Sequence, residues 1–248
     1  MVSSRLRAAY PDYAFIGEET YVAGQTALTD TPTFIVDPID GTTNFVHGFP
    51  HACISLGLAV GRRPAVGVVY NPSLDTLYTG IRGRGGFVRR NASLPTSKPL
   101  RLPLAGRPPP LSGDLSTALV GIEWGSQREG PNFDVKVETF RRLAAAPPGG
   151  AMVHGFRSLG SAAMNLCAVA AGEMDCYWEG GCWAWDVCAG WCILSEAGGR
   201  MVGGNPGDWE PALDRRVYLA VRGAPEKDGQ EAFVKAFWDV IGEGRLDY

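Results

Sequence analysis

The sequence has little of what several function classes require. It holds three histidines, and none of its six cysteines forms a Cys-x-x-Cys pair, so a zinc site is not expected and the cysteines are predicted to be reduced and buried. A net charge of −3 without a basic run argues against a nucleic-acid surface. No apolar run has transmembrane length and no signal-peptide core is present. We expect a soluble, cytoplasmic protein with no nucleic-acid or membrane partner.

The composition is that of an ordinary globular protein. Of the 248 residues, 45% are hydrophobic and 20% are charged, which is enough for a sizeable core. We predict a single domain over residues 1–248. A Pro-rich stretch at about 95–113 is predicted to be a loop between two sub-lobes.

Apolar and polar periodicity predicts a mixture of strands and helices. The predicted strands are 15–17, 33–36, 54–60, 65–70, 77–79, 87–88, 119–122 and 217–221. The predicted helices are 3–10, 134–143, 161–171, 186–197 and 231–241. Residues 20–32 are predicted to be a loop. Gly83-Arg84-Gly85-Gly86 lies between short strands and opens no helix, which favours a glycine-rich turn over a dinucleotide loop.

The densest polar motif is Asp37-Pro38-Ile39-Asp40-Gly41-Thr42-Thr43-Asn44, directly after the apolar run 33–36. Asp and Pro both suit a strand poorly, so packing alone does not explain the motif. The carboxylates of Asp37 and Asp40, with the Ile39 carbonyl between them, can converge on one hard cation, and Mg²⁺ prefers such oxygen ligands.

The second half of this motif is typical of an anion site. Gly41 allows a ligand to approach the backbone, and Thr42 begins a helical turn whose free amides can bind an anion such as phosphate. The alternative is an ordinary strand-to-turn junction that uses Asp and Gly for turn chemistry.

Two further acids are candidates for the same place. Glu18 follows the short run 15–17 and precedes Asp37 by about twenty residues, so a hairpin or a returning loop can bring the two together. Asp186 falls in the first turn of a predicted helix, where a capping role is the common use of Asp.

In four stretches the chain resembles the inositol monophosphatase family of Mg²⁺-dependent, lithium-sensitive phosphomonoesterases. They are Phe15-Ile16-Gly17-Glu18-Glu19, Asp37-Pro38-Ile39-Asp40-Gly41-Thr42-Thr43-Asn44-Phe45, Arg157-Ser158-Leu159-Gly160-Ser161-Ala162-Ala163, and Trp185-Asp186-Val187 with Glu196-Ala197-Gly198-Gly199. Their order and spacing look like the family's over nearly the whole chain. The resemblance implies a layered α-β-α-β-α sandwich, two or three Mg²⁺ ions and a homodimer.

The resemblance also implies roles for individual residues. The metal ligands are expected to be Glu18, Asp37, the Ile39 carbonyl, Asp40 and Asp186. The residues expected to activate or orient the attacking water are Glu18, Asp40 and Thr42, the last through its hydroxyl. The substrate is expected to contact Ile39, Asp40, Gly41, Thr42, Gly160, Ser161, Ala162, Glu179 and Asp186, with Glu179 on the inositol ring.

The chain departs from the family pattern at its start. Members of the family carry a pair of helices before the position of Ser3, and one of them holds an acid in a Thr-x-x-Asp context that pairs with the threonine matched by Thr42. The expectation is therefore an N-terminally shortened member, either a fragment, a shortened gene model or a degenerate relative, with apolar sheet surface exposed.

The sequence therefore predicts the hydrolysis of a small phosphate monoester, with inositol monophosphate as the leading substrate. A nucleotide bisphosphate, a sugar bisphosphate or histidinol phosphate are the alternatives within the same superfamily. Glu179 and the preceding Tyr177-Trp178 favour a neutral polyol over a second anionic group. A non-catalytic phosphate-binding or regulatory protein is the alternative from another class.

Overall fold

The computed structural model describes residues 2–22, 27–104, 110–224 and 227–248. The strands are β1 (Ala14–Gly17), β2 (Thr33–Asp40), β3 (Cys53–Val60), β4 (Arg63–Asn71), β5 (Thr76–Ile81), β6 (Gly85–Arg90), β7 (Leu100–Arg101), β8 (Leu119–Ile122), β9 (Gly155–Arg157), β10 (Cys176–Gly180), β11 (Arg200–Gly203) and β12 (Val217–Val221). The helices are α1 (Val2–Ala9), α2 (Thr42–His47), α3 (Pro131–Ala144), α4 (Ala162–Ala171), α5 (Ala184–Glu196) and α6 (Lys227–Ile241).

The strands form two sheets. Strands β1 to β7 lie in sequence order in the first sheet, and the second has the order β11-β12-β10-β8-β9. Helices α4 and α5 lie between the sheets, whereas α3 and α6 cover the far face of the second sheet. On the outer face of the first sheet, α1 places Leu6 beside Phe34 in an apolar groove of about 420 Å³. These layers confirm the predicted α-β-α-β-α sandwich.

Glycines in the first sheet let α5 lie unusually close to it. A Cβ on Gly67 would lie 2.2 Å from the carbonyl oxygen of Ala189, and a Cβ on Gly57 would lie 2.6 Å from the sulfur of Cys188. Real Cβ atoms do not approach other atoms so closely, so both positions need glycine. This contact fixes the start of α5, and with it Asp186, against the ends of β2 and β3.

The order of the first strands places two acids at one edge. Strand β1 pairs with β2 in parallel, with Gly17 opposite Val36, so the residues that follow, Glu18 and Asp37, emerge side by side. The loop that returns the chain is the predicted 20–32 segment, of which 23–26 lie outside the described residues. Of the two predicted routes, the returning loop is the one observed.

Strand β2 is longer than predicted. The sequence predicts a strand that ends at residue 36, but pairing with β3 continues at Asp37 with Ser55 and at Asp40 with Cys53. An irregularity in register between Asp37 and Asp40 accommodates Pro38, which has no N–H for the ladder. The acidic motif is therefore built into the sheet at a bulge.

The remaining predicted elements are present with modest changes at their ends. Strands β9, β10 and β11 were not predicted, because they are short and β10 ends in the strand-poor pair Glu179-Gly180. In the Pro-rich loop predicted at 95–113, β7 joins the first sheet and residues 105–109 lie outside the described residues. Within the part of the chain that the structure describes, no helix is long and apolar enough to cross a membrane.

Candidate metal and phosphate site

Three acids from distant parts of the sequence meet at the edge of the first sheet. Asp37 and Asp40 come from the bulged end of β2, and Asp186 comes from the first turn of α5. One carboxylate oxygen from each lies within 4.8 Å of those of the other two. This is the arrangement expected of ligands that share one cation.

Only one oxygen of Asp37 and of Asp186 is held by the protein. Asp37 Oδ1 accepts a hydrogen bond of 2.9 Å from the Ile39 N–H, and Asp186 Oδ2 accepts one of 2.7 Å from the Trp183 N–H. Among the described residues, the second oxygen of each carboxylate has no hydrogen-bond donor. Asp186 thus has the predicted capping interaction with the start of α5, and it keeps an oxygen free for a ligand.

Asp40 is held by the start of α4. Its Oδ2 accepts hydrogen bonds from the Ser161 hydroxyl at 2.6 Å and from the Ala163 N–H at 2.8 Å. Ser161 is the predicted N-cap of α4, and its oxygen also accepts the Met164 N–H at 3.3 Å. The positive end of the helix therefore stabilises the Asp40 charge and fixes its side chain.

The protein supplies fewer donors than this cluster needs. Burial raises the pKa of Asp37 to about 9, with further contributions from the charges of Asp40, Glu18 and Asp186. Burial also raises the pKa of Asp40, to about 6, against the lowering effect of Ser161 and the α4 amides. The pKa of Asp186 is raised by burial and by the Asp40 charge. A cation would relieve both the repulsion and the loss of hydration.

Glu18 lies near these three acids but is not one of the group whose oxygens lie within 4.8 Å of one another. It begins the single 3-10 turn Glu18–Thr20 and is exposed. Its charge contributes to the raised pKa of Asp37, Asp40 and Asp186, which places it near all three. Its role as a metal ligand and in water activation stays a prediction.

The turn after Asp40 has the geometry of a backbone-lined anion site. Gly41 has φ of 86°, and a Cβ there would lie 2.8 Å from the His51 carbonyl oxygen, so glycine is required. The Thr42 hydroxyl donates to the Ile39 carbonyl at 3.1 Å, which joins the predicted water-orienting group to the predicted carbonyl ligand. The roles of Ile39, Gly41 and Thr42 stay predictions.

A second loop lies against this turn, because a Cβ on Gly41 would lie 3.2 Å from the Gly160 carbonyl oxygen. A cavity of about 850 Å³ lies beside them. Of the predicted site residues, the cavity is lined by Asp40, Gly160, Ser161, Ala162, Glu179 and Asp186. The Asn44 side chain, which follows the acidic motif, donates to the Leu159 carbonyl at 2.6 Å and so ties the two halves of the site together. The structure thus brings two of the three clustered acids and part of the predicted substrate-side set to one cavity. The predicted residues that are not in its lining are Glu18, Asp37, Ile39, Gly41 and Thr42.

Glu123 is a site residue that the sequence did not predict. It follows β8, is 9% exposed and lines the cavity. Its carboxylate accepts the N–H groups of Leu159 at 2.6 Å and Gly160 at 2.7 Å, the Ser158 hydroxyl at 3.0 Å and the Asn165 amide at 2.9 Å. Glu123 therefore holds the loop that presents Gly160. An acid directly after the predicted strand 119–122 was the available signal.

Glu179 lies at the other end of the cavity, where β10 ends. Its pKa is raised to about 8, chiefly by burial and then by the Glu123 charge, against the lowering effect of Lys136. The Tyr177 hydroxyl donates to Glu179 Oε2. A half-buried carboxyl group that a neighbouring hydroxyl orients is suited to bind hydroxyl groups of a substrate. The role of Glu179 on the inositol ring stays a prediction.

The donor set fits a hard divalent cation. Among the described residues, the group found consists of three carboxylates, with no histidine or cysteine in it. Oxygen-only ligands and excess negative charge favour Mg²⁺ or Mn²⁺ over Zn²⁺. Cys53 Sγ lies 3.9 Å from Asp40 Oδ2, but burial raises the pKa of this thiol, so it stays protonated.

Comparisons with known proteins identify the family of the chain. Residues 1–241 match the model of the inositol monophosphatase family. The chain is 52% identical to inositol monophosphatase 2 of Saccharomyces cerevisiae over 251 aligned residues, covering 100% of this chain and 80% of the relative. It is 38% identical to inositol monophosphatase 1 of Bos taurus, covering 88% and 72%. Its fold is similar to SuhB of Mycobacterium tuberculosis with a TM-score of 0.72 at 28% identity, covering 98% and 82%.

The family match and the identity to these relatives place the chain among the phosphoric monoester hydrolases. The chain belongs to the inositol monophosphatase family.

Proposed function

We propose that this protein hydrolyses a small phosphate monoester, inositol monophosphate, to inositol and phosphate with the help of Mg²⁺. The observation that carries the proposal is the cluster of Asp37, Asp40 and Asp186, which brings one carboxylate oxygen of each residue within 4.8 Å of the others. Relatives that match along the whole chain are named inositol monophosphatases. These names favour inositol monophosphate over the nucleotide, sugar and histidinol esters and over a non-catalytic role.

The acids are proposed to hold the metal. Asp37, Asp40, Asp186, Glu18 and the Ile39 carbonyl would supply its oxygen ligands. Bound divalent cations would neutralise the phosphate charge and lower the pKa of the attacking water, and two or three ions are proposed. No histidine or cysteine nucleophile is needed, because water is the attacking group.

The remaining site residues are proposed to bind and orient the substrate. The amides of Gly41 and Thr42 at the start of α2 would donate to the phosphate oxygens, and the Thr42 hydroxyl would orient the attacking water. Gly160, Ser161 and Ala162 would line the phosphate side of the cavity. Glu179 would accept hydrogen bonds from hydroxyl groups of the inositol ring.

Several finer properties rest on the family resemblance. They are a single domain over 1–248, inhibition by lithium, a homodimer and a cytoplasmic location. The phosphate monoester is proposed to be small and free, without a nucleic-acid or membrane partner.

The test is phosphate release from inositol monophosphate at a series of Mg²⁺ concentrations. We expect activity that requires Mg²⁺, and a loss of about a thousandfold or more in Asp37→Asn, because charge stabilisation by a bound metal contributes several kcal/mol. Asp30→Asn is the matched control: Asp30 is 81% exposed and pairs with Arg62 at the surface. Full activity in Asp37→Asn, or equal losses in both variants, would contradict the proposal.

A further inference from the structure

A lysine without an acidic partner lies inside the second half of the molecule. Lys136, on α3, is 1% exposed. Its Nζ donates to the Trp124 carbonyl at 3.2 Å and to the Gly180 carbonyl at 3.1 Å. Among the described residues, Lys136 forms no ion pair. Burying an ammonium group costs free energy that an apolar side chain would not, so packing alone does not explain this lysine.

The backbone around the Lys136 ammonium group is shaped to admit it. Gly125 has φ of 63°, and a Cβ there would lie 3.3 Å from Lys136 Nζ. Both the close approach and the left-handed backbone favour glycine at this position. Gly125 lies two residues after Glu123, and Gly180 directly follows Glu179. The Lys136 side chain therefore lies at the ends of β8 and β10, where two acids enter the cavity.

The two acids differ in their need for a nearby positive charge. Glu123 accepts four hydrogen bonds, which is enough to stabilise its charge. Glu179 accepts a hydrogen bond from the Tyr177 hydroxyl, and its own backbone continues into the carbonyl that Lys136 binds. Glu179 is therefore the acid on which the Lys136 charge has the larger effect.

Several groups determine the ionisation of Glu179. Burial is the largest cause of its raised pKa of about 8, and the charges of Glu123 and Asp40 add to it. The Lys136 charge is the largest effect that lowers this pKa, ahead of a hydrogen bond from Cys182. Loss of the Lys136 charge would therefore raise the pH at which Glu179 becomes a carboxylate.

Two further charged groups lie near Glu179. Arg216 donates to the Gly181 carbonyl at 3.0 Å, but its side chain is partly exposed, so solvent screens its charge more than that of Lys136. Asp186, at the start of α5, has a pKa that the Glu179 charge helps to raise. Asp186 and Asp40 belong to the proposed metal cluster, so their effects concern every phosphate ester alike.

We propose that Lys136 is a positioning residue that acts through Glu179 and holds it as a carboxylate, ready to accept a hydrogen bond from a hydroxyl group of the substrate. The inference rests on the proposed phosphatase function and deepens it, because it explains how the site favours esters of hydroxylated alcohols. A hydrogen bond to a charged acceptor is about twice as strong as one between neutral groups. Lys136 is not in the lining of the cavity, so it acts without touching the substrate.

The test compares inositol 1-phosphate with phenyl phosphate, whose alcohol part has no hydroxyl group. The selectivity is kcat/KM for the inositol ester divided by kcat/KM for phenyl phosphate, measured from about pH 6 to about pH 9 in saturating Mg²⁺. Effects on the phosphate group and on the metal cluster enter both values and cancel in the ratio. In the wild type the selectivity should rise with pH as Glu179 becomes a carboxylate.

Lys136→Gln removes the charge and keeps a donor for the Gly180 carbonyl. We expect the rise in selectivity to occur at a pH about 1 higher, which lowers the selectivity at pH 8 about fivefold and leaves kcat/KM for phenyl phosphate near its wild-type value. Lys136→Met is a second variant without the charge and should show the same displacement. Lys235→Gln is the matched control, because the Lys235 side chain is 61% exposed on α6, and it should change nothing.

Glu179→Gln separates action through Glu179 from damage to the fold. Its selectivity should be low and independent of pH, and Lys136→Gln added to it should cause no further change in selectivity. A selectivity that still rises with pH in Glu179→Gln would overturn the inference, whether or not the Lys136 variants fold. Equal losses for both esters in Lys136→Gln, with the rise at the wild-type pH, would also overturn it.

The wild type alone distinguishes the two proposals. Release of phosphate from inositol 1-phosphate with a selectivity that does not depend on pH would contradict the role of Lys136 and leave the phosphatase function intact. Release of phosphate from neither ester would contradict the phosphatase function, and the role of Lys136 would fall with it.

Discussion

Two acids of the candidate site, Asp37 in the metal cluster and Glu123 beside the Gly160 loop, bury negative charge in opposite ways. Asp37 is 2% exposed and accepts one N–H, from Ile39, whereas Glu123 is 9% exposed and accepts four hydrogen bonds. A buried carboxylate with enough donors stabilises the loop around it. A buried carboxylate with too few donors has a raised pKa and is suited to bind a cation. The difference separates the structural acid from the proposed ligand.

Glu196 gives a second example of a satisfied acid. It accepts the N–H groups of Gly83, Arg84 and Gly85 at 2.6–3.1 Å, at the turn where a dinucleotide loop was considered and rejected. The glycine-rich turn therefore binds an anion that belongs to the protein itself. It holds α5 to the first sheet at the end opposite Asp186.

The largest expected effect is on the pH dependence of stability without metal. The folded protein holds protons on Asp37 up to about pH 9 and on Asp40 up to about pH 6, whereas the unfolded chain loses them near pH 4. Since the folded state binds more protons, the stability contribution of these groups is full below about pH 4. It falls as pH rises from there, up to about pH 6 for Asp40 and up to about pH 9 for Asp37. The slope is about 1.4 kcal/mol per pH unit for each extra proton.

Urea unfolding at pH 6, 7, 8 and 9 in a chelator measures this slope, and saturating Mg²⁺ should reduce it. Asp37→Asn removes the group with the higher pKa and should flatten the metal-free profile. An unfolding free energy that rises with pH in the wild type, or a pH profile that is the same in Asp37→Asn, would contradict the contrast between Asp37 and Glu123.

A smaller effect is expected at Glu123, whose carboxylate is stabilised by its hydrogen-bond donors. Glu123→Gln loses the charge that four donors share, so we expect a loss of about 1.5–3 kcal/mol in unfolding free energy. KM for inositol monophosphate should rise because the Gly160 loop loosens, while Mg²⁺ affinity stays near the wild-type value. Glu243→Gln, at an exposed position after α6, is the control and should change none of these. Equal losses of Mg²⁺ affinity in Glu123→Gln and Asp37→Asn would contradict the distinction between a structural acid and a metal ligand.

The sequence predicted most of the fold and the metal side of the site because those signals are local. The apolar run before Asp37 and the helix predicted over 161–171 are each determined by residues within a few positions of one another. The layered architecture and the correspondence of Asp186 came from the resemblance to a family rather than from periodicity.

The positions of Glu123 and of the buried polar residues of α3 could not be predicted in the same way. Glu123 meets its donors 35 to 42 residues away, and Asn132 meets Asp247 at a separation of 115 residues. In the sequence, Asn132 and Lys136 are polar residues of an amphipathic helix, and nothing local shows that they face inward. Their burial is decided by the packing of α3 against the second sheet and segment 246–248.

The most direct measurement is the shift in the thermal midpoint that Mg²⁺ causes in the wild type, Asp37→Asn and Glu123→Gln. A ligand at a hundred times its dissociation constant stabilises the folded state by about 2.7 kcal/mol. If Asp37, Asp40 and Asp186 hold the metal, the shift will be present in the wild type and in Glu123→Gln and lost in Asp37→Asn. A full shift in Asp37→Asn would show that the cluster is not the metal site.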